Sequence, residues 1–103
     1  MKILLACNAG MSTSMLVQRM NQAAQARNIE ATIMAVPISQ AMSIYPEWDI
    51  VLLGPQVRHQ LKAFVAKSGG VTPIGVIDMR DYGTMNGENV LNTAIDMINR
   101  GND

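Results

Sequence analysis

KILLACNAGMSTS, residues 2–14, changes character twice within a short span. Ile3, Leu4, Leu5 and Ala6 form an apolar block that ends at Cys7, the one cysteine of the chain. Asn8, Ala9, Gly10, Met11, Ser12, Thr13 and Ser14 then supply small or polar-leaning side chains before a helical pattern sets in at Met15. The stretch reads as a strand, a tight loop and a helix start, with a thiol at the lip of the loop. Consecutive apolar residues, rather than alternating ones, suit a central strand buried on both faces, as in a parallel sheet.

Working outward, residues 15–26 repeat Met15, Leu16, Met20, Ala23 and Ala24 at helical spacing. Ser12, Thr13 and Ser14 offer hydroxyls as N-caps, and Asn28 is a helix stop. Residues 29–36 predict a second strand, nearer a sheet edge, ended by Pro37. Ser39 is read as the cap of a short helix to Ile44, followed by a turn at residues 45–48. Residues 49–53 (DIVLL) are the clearest buried strand, cut off by Gly54-Pro55. Proline is accepted in a first helical turn, and Val57, Leu61, Phe64 and Val65 mark a helix to Lys67. Ser68-Gly69-Gly70 stops it. Residues 73–77 (PIGVI) form the fourth strand, with Asp78 at its end, and a loop over residues 79–87 leads to a last helix on Val90, Leu91, Ala94, Ile95 and Ile98.

Strand and helix therefore alternate four times. This predicts an α/β three-layer sandwich, a four-stranded parallel open sheet with helices on both faces and right-handed crossovers. Ligands in such sheets collect at the strand C-terminal ends, near the switch in strand order, and Cys7 lies at such an end. The 103 residues fit one domain, 1–103, and the 49% apolar content supports a real core.

Eight basic and eight acidic residues cancel, with no basic run and only four aromatic side chains, which argues against nucleic-acid binding. One cysteine makes no internal disulfide, so a reducing cytosol is expected. No signal peptide is seen, and no apolar run approaches the ~18–20 residues of a membrane span. The expectation is a cytoplasmic protein without direct membrane insertion. No spacing suggests a metal site, and no cofactor is expected.

A strand-to-helix loop gathers backbone N–H groups at one point, and the helix dipole adds positive potential. The site thus favours a phosphate or a thiolate. Taken alone, a cysteine after a strand is an ordinary buried residue. With Gly10 and three hydroxyls beside it, Cys7 becomes a nucleophile set in its own anion cradle. That suits a cysteinyl phosphate. For Ser12, Thr13 and Ser14 helix capping and phosphate contact are both open, and Ser14 is the candidate for holding the thiolate.

CNAGMSTSMLV, with GPQV after the third strand and ID…YG after the fourth, closely resembles the lactose/cellobiose-type enzyme IIB components of the bacterial phosphotransferase system (PTS). The resemblance runs essentially end to end. It implies a phosphotransferase of the protein-Nπ-phosphohistidine–sugar class, with Cys7 as the phosphocysteine and residues 8–14 as the phosphate loop. The cysteine would take a phosphoryl group from a histidine of the IIA partner. It would pass the group to a sugar (cellobiose, chitobiose, lactose or another β-glucoside) held by the membrane IIC component, which would bring the protein transiently to the membrane. The sugar and the oligomeric state are not legible in the chain.

The loop is also similar to that of low-molecular-weight tyrosine phosphatases, which close it with an arginine followed by a serine. Counting from Cys7, Thr13 takes the arginine's place and Ser14 keeps the serine's. Loss of the arginine removes the clamp on the transferring phosphoryl, which suits a carrier whose phosphocysteine must survive. A phosphatase or arsenate-reductase-like hydrolase is the alternative. A thiol-dependent regulatory or interaction module is a third reading. Asp78 and Asp81-Tyr82 fall where the phosphatase acid loop lies, but the proline between Asp and Tyr is missing, so no catalytic acid is assigned. Asp78 reads equally as a turn former. Arg58 and His59 read as surface residues, although Arg58 could meet a phosphate or an acidic partner. Met11 is split between a partner contact and a side chain folded onto the core.

Overall fold

The computed structural model describes residues 1–8 and 11–101, without the side chains of 11, 12 and 101. Four strands, β1 (Lys2–Cys7), β2 (Thr32–Pro37), β3 (Ile50–Leu53) and β4 (Ile74–Val76), pair in the order β2-β1-β3-β4. All three pairings are parallel. The fold class expected from the alternation is thus the one observed. β1 and β3 are central, and β2 is an edge strand as its weaker apolar pattern suggested. The chain leaves β1 for β2 on one side and returns to β3 on the other. The switch in strand order therefore lies between β1 and β3, where parallel sheets open a crevice at their C-terminal ends.

Alternation along the central strands feeds two cores. Ile3, Leu5, Ile50 and Leu52 meet Leu16, Met20 and Ala24 of α1 (Met11–Ala26) and Val90, Leu91 and Ala94 of α5 (Gly87–Gly101). Leu4, Ala6, Val51 and Leu53 face the other way, onto Ala41 of α2 (Ile38–Ile44) and Phe64 of α3 (Leu61–Ser68). Phe64 is fully buried and packs edge-on against Tyr45, ring centroids 5.5 Å apart. Because both faces of the sheet are covered, β3 carries no polar side chain: every residue of IVLL is buried.

Several boundaries differ from the sequence reading. α1 starts at Met11, so Ser12, Thr13 and Ser14 lie inside its first turn and are not its N-caps. β2 starts at Thr32, three residues later than expected. Ser39 does not cap α2. Pro37 occupies that position without a side-chain bond, its fixed φ of −60° suiting it to the strand-to-helix joint. The helix after Gly54-Pro55 is two pieces, a 3-10 segment Pro55–Gln60 kinked at Val57 and then α3. The loop expected over 79–87 contains a short helix, α4 (Met79–Gly83). The stop signals hold: Asn28 has φ 56° and Gly69, at the end of α3, has φ 60°.

Candidate functional site at the end of β1

β1 ends at Cys7, whose Cα pairs with Pro37 of β2. On its other side the Gly54 amide donates to the Ala6 carbonyl at 2.8 Å. One strand further, the Ile77 amide donates to the Leu53 carbonyl at 2.8 Å. The ends of β1, β3 and β4 are thereby aligned, and the loop of Cys7, the 3-10 segment after β3 and α4 after β4 share one edge of the sheet.

Cys7 is 2% exposed and has no disulfide. Gly54 lies against it: a Cβ there would sit 3.5 Å from the Cys7 Cβ and 3.1 Å from Gln56 Oε1. Absence of that methyl group lets β3 turn away beside the thiol without displacing it. Asn8 is exposed. Ala9 and Gly10 lie outside the described residues, as do the side chains of Met11 and Ser12, so the partner contact read for Met11 falls outside them too. Ser14 is exposed in the first turn of α1. The first four N–H groups of a helix have no intrahelical partner. The start of α1 at Met11 brings that end of the helix to within a few residues of the cysteine.

Thr13, in the place where the phosphatases carry arginine, is fully buried. Its hydroxyl is 3.3 Å from the phenol oxygen of Tyr82 on α4, either atom being able to donate. Tyr82 is 8% exposed and was given no role by the sequence. The signal that could have found it is an aromatic residue just past the fourth strand, in a segment bound to return to the Cys7 edge.

Asp78 is the N-cap of α4. Its Oδ1 accepts from the amides of Arg80 at 2.8 Å and Asp81 at 3.1 Å. Asp81 accepts from Asn89 Nδ2 at 3.2 Å. Of the two readings for Asp78, acid or turn former, the geometry fits the second. Arg58 and His59 are both exposed. They line an open groove of about 680 Å³ together with Pro55, Gln56, Met79 and Tyr82. Met79 is 62% exposed and Met15 51% exposed, so two flexible apolar side chains flank this edge of the sheet. Among the described residues no cluster of His, Cys, Asp and Glu could hold a metal ion, and no helix is long and apolar enough to cross a membrane.

Residues 2–93 match the family model described as PTS system, Lactose/Cellobiose specific IIB subunit. The chain is 40% identical over 104 residues to the PTS galactose-specific EIIB component of Lactococcus lactis subsp. cremoris, covering 94% of this chain and 95% of that protein. It is 39% identical over 99 residues to the oligo-beta-mannoside-specific EIIB component of Bacillus subtilis, with the same coverages. The solution structure of the cellobiose-specific phosphotransferase IIB component from Borrelia burgdorferi superposes with a TM-score of 0.82 at 46% identity, over 98% of this chain and 94% of that one. The lactose-specific IIB domain from Streptococcus pneumoniae superposes with a TM-score of 0.83 at 16% identity, over 94% of this chain and 96% of that one, a likeness of fold alone. With its lone cysteine at the switch point of the parallel sheet and its family match spanning nearly the whole length, the chain belongs to the lactose/cellobiose-specific IIB subunits of the PTS.

Proposed function

We propose that the protein is a phosphoryl carrier of a sugar-transporting PTS in which Cys7 holds the phosphoryl group. The observation that carries the reading is the position of Cys7 at the end of central strand β1, beside the β1/β3 switch and just ahead of α1. In the first step the Cys7 thiolate attacks the phosphorus of a phosphohistidine on a IIA protein. The S–P bond forms as the N–P bond breaks, and the electron pair returns to the imidazole nitrogen, which takes up a proton. In the second, a hydroxyl of a sugar bound by the membrane IIC component attacks the same phosphorus. The O–P bond forms as the S–P bond breaks, the hydroxyl proton passes to a base on IIC or to water, and the sulfur leaves with the electron pair as the restored thiolate. No net charge has to be created on a poor leaving group in either step, so positioning and electrostatic stabilisation are what the loop must supply.

Backbone N–H groups of residues 8–14 (Asn8, Ala9, Gly10, Met11, Ser12, Thr13, Ser14) form the phosphate cradle in this reading, helped by the positive end of α1. The whole chain, 1–103, acts as one EIIB domain in the cytoplasm and meets the membrane only through IIC. The EIIB relatives carry galactose, cellobiose and oligo-beta-mannoside in their names at nearly equal identity, so the sugar is proposed only as a class, cellobiose, chitobiose, lactose or a related β-glycoside. A hydrolase built on the same loop is disfavoured because Thr13, in the arginine's place, brings no charge and is fully buried.

The test supplies phosphoenolpyruvate, the general PTS proteins and a IIA partner to wild type and to Cys7→Ser. Wild type is expected to take up the label and Cys7→Ser to take up none. Undiminished labelling of the serine variant would overturn the assignment.

A further inference from the structure

Thr13 is fully buried, yet it carries a hydroxyl. Among the described residues the partner of that hydroxyl is Tyr82, 69 positions away in the chain, at 3.3 Å. The phenol stands on an anchored base. The Ile77 amide donates to the Leu53 carbonyl of central strand β3 at 2.8 Å, Asp78 caps α4, and the Tyr82 amide donates to the Asp78 carbonyl at 2.9 Å. A continuous series of hydrogen bonds thus runs from the sheet, through α4, to the first turn of α1. It reaches that turn from outside, without passing through the loop of Cys7.

We propose that Tyr82 is a positioning residue for phosphoryl transfer at Cys7, holding the first turn of α1 in register with the sheet through the Thr13 hydroxyl. The inference rests on the phosphoryl-carrier reading above. The unpaired amides of a helix's first turn are fixed to the backbone, so any slip of that turn moves every donor together. Transfer to a thiolate depends on those donors meeting the phosphoryl oxygens at fixed points, and small displacements are expensive in rate. Cys7 and the loop are attached to β1, whereas Tyr82 is referenced to β3 through α4. The hydroxyl pair ties these two references together across the site. Thr13 acts here through its hydroxyl on Tyr82, while its backbone amide remains part of the helix terminus.

The experiment compares wild type, Tyr82→Phe, Thr13→Val and Thr13→Ser in single-turnover phosphorylation by a phosphorylated IIA protein, over a range of donor concentrations, with thermal unfolding followed in parallel. Phenylalanine keeps the ring and valine keeps the shape of threonine, so the fold has little reason to change. The expected result is a fall of about tenfold in the rate at saturating donor for Tyr82→Phe and for Thr13→Val, with the half-saturating donor concentration unchanged. Thr13→Ser, which restores a hydroxyl, recovers most of the rate. The double variant Tyr82→Phe/Thr13→Val loses less than the two single losses combined, because both remove the bond between Thr13 and Tyr82. Wild-type rates in both hydroxyl-deleted variants would overturn the proposal even if their melting temperatures drop. A serine variant as slow as the valine one would also overturn it. Absence of label on wild type, or label on Cys7→Ser, would instead bring down the carrier reading, and the positioning role with it.

Discussion

Asp78 shows how a single carboxylate organises one side of the site. Its Oδ1 accepts from two amides at the start of α4, a helix of only five residues that has no length to be stable by itself. Replacing it by alanine leaves both amides without that acceptor and costs about 1 kcal/mol. Asp78→Ala is expected to speed amide hydrogen exchange at Arg80 and Asp81 while the strands keep their protection. Exchange unchanged at those two positions would mean that the cap does not hold the helix. The residue also marks what the sequence left open. An aspartate after a strand suits an acid and a turn alike, and only the bonds to Arg80 and Asp81 separate the two. Thr13 is the converse case: its place in the loop was countable from Cys7, but its burial against Tyr82 depends on a contact between residues far apart in the chain.

Among the elements, α1 and α5 pack closely on one face of the sheet, and Gly87 is what allows it. A Cβ at Gly87 would run into the carbonyl carbon of Arg19 and lie 2.5 Å from the Met20 amide nitrogen, both backbone atoms that cannot rotate aside. Gly87→Ala must therefore push the start of α5 away from α1, at about 3 kcal/mol. For a domain of this size that lowers Tm by roughly 15 °C, readable by circular dichroism. An unchanged Tm would show that the two helices do not approach as closely as described. The strands were legible because buried parallel strands are written as apolar blocks, Ile3 to Ala6 and Ile50 to Leu53, and because Gly54-Pro55 and Ser68-Gly69-Gly70 end their segments sharply. Helix starts were less so. Serine and threonine have the chemistry of caps, which hid the fact that α1 already runs through Ser12 and Thr13. α4 was invisible because five residues are too few to show a helical period.

For the whole molecule, the strand order decides where chemistry can occur. β1 and β3 are neighbours whose onward connections run to opposite sides, the arrangement in which a parallel sheet forms a crevice at its C-terminal ends, while the two cores fill both faces of the sheet below it. The location of Cys7 at that crevice was legible from sequence because a strand, a small-residue loop and a helix follow one another without interruption. The exposed Met15 and Met79, and the groove bordered by Arg58 and His59, were not, since they gather from three separate segments, α1, the 3-10 segment and α4. In the proposed carrier the phosphoryl group rides on sulfur, and the composition makes this directly testable: the chain has one cysteine and one histidine, Cys7 and His59. Phosphorus NMR of the wild-type protein, phosphorylated through phosphoenolpyruvate, the general PTS proteins and IIA, is expected to show a single thiophosphate resonance that is lost in Cys7→Ser. A phosphoramidate resonance in its place, lost on substitution of His59, would contradict transfer through sulfur.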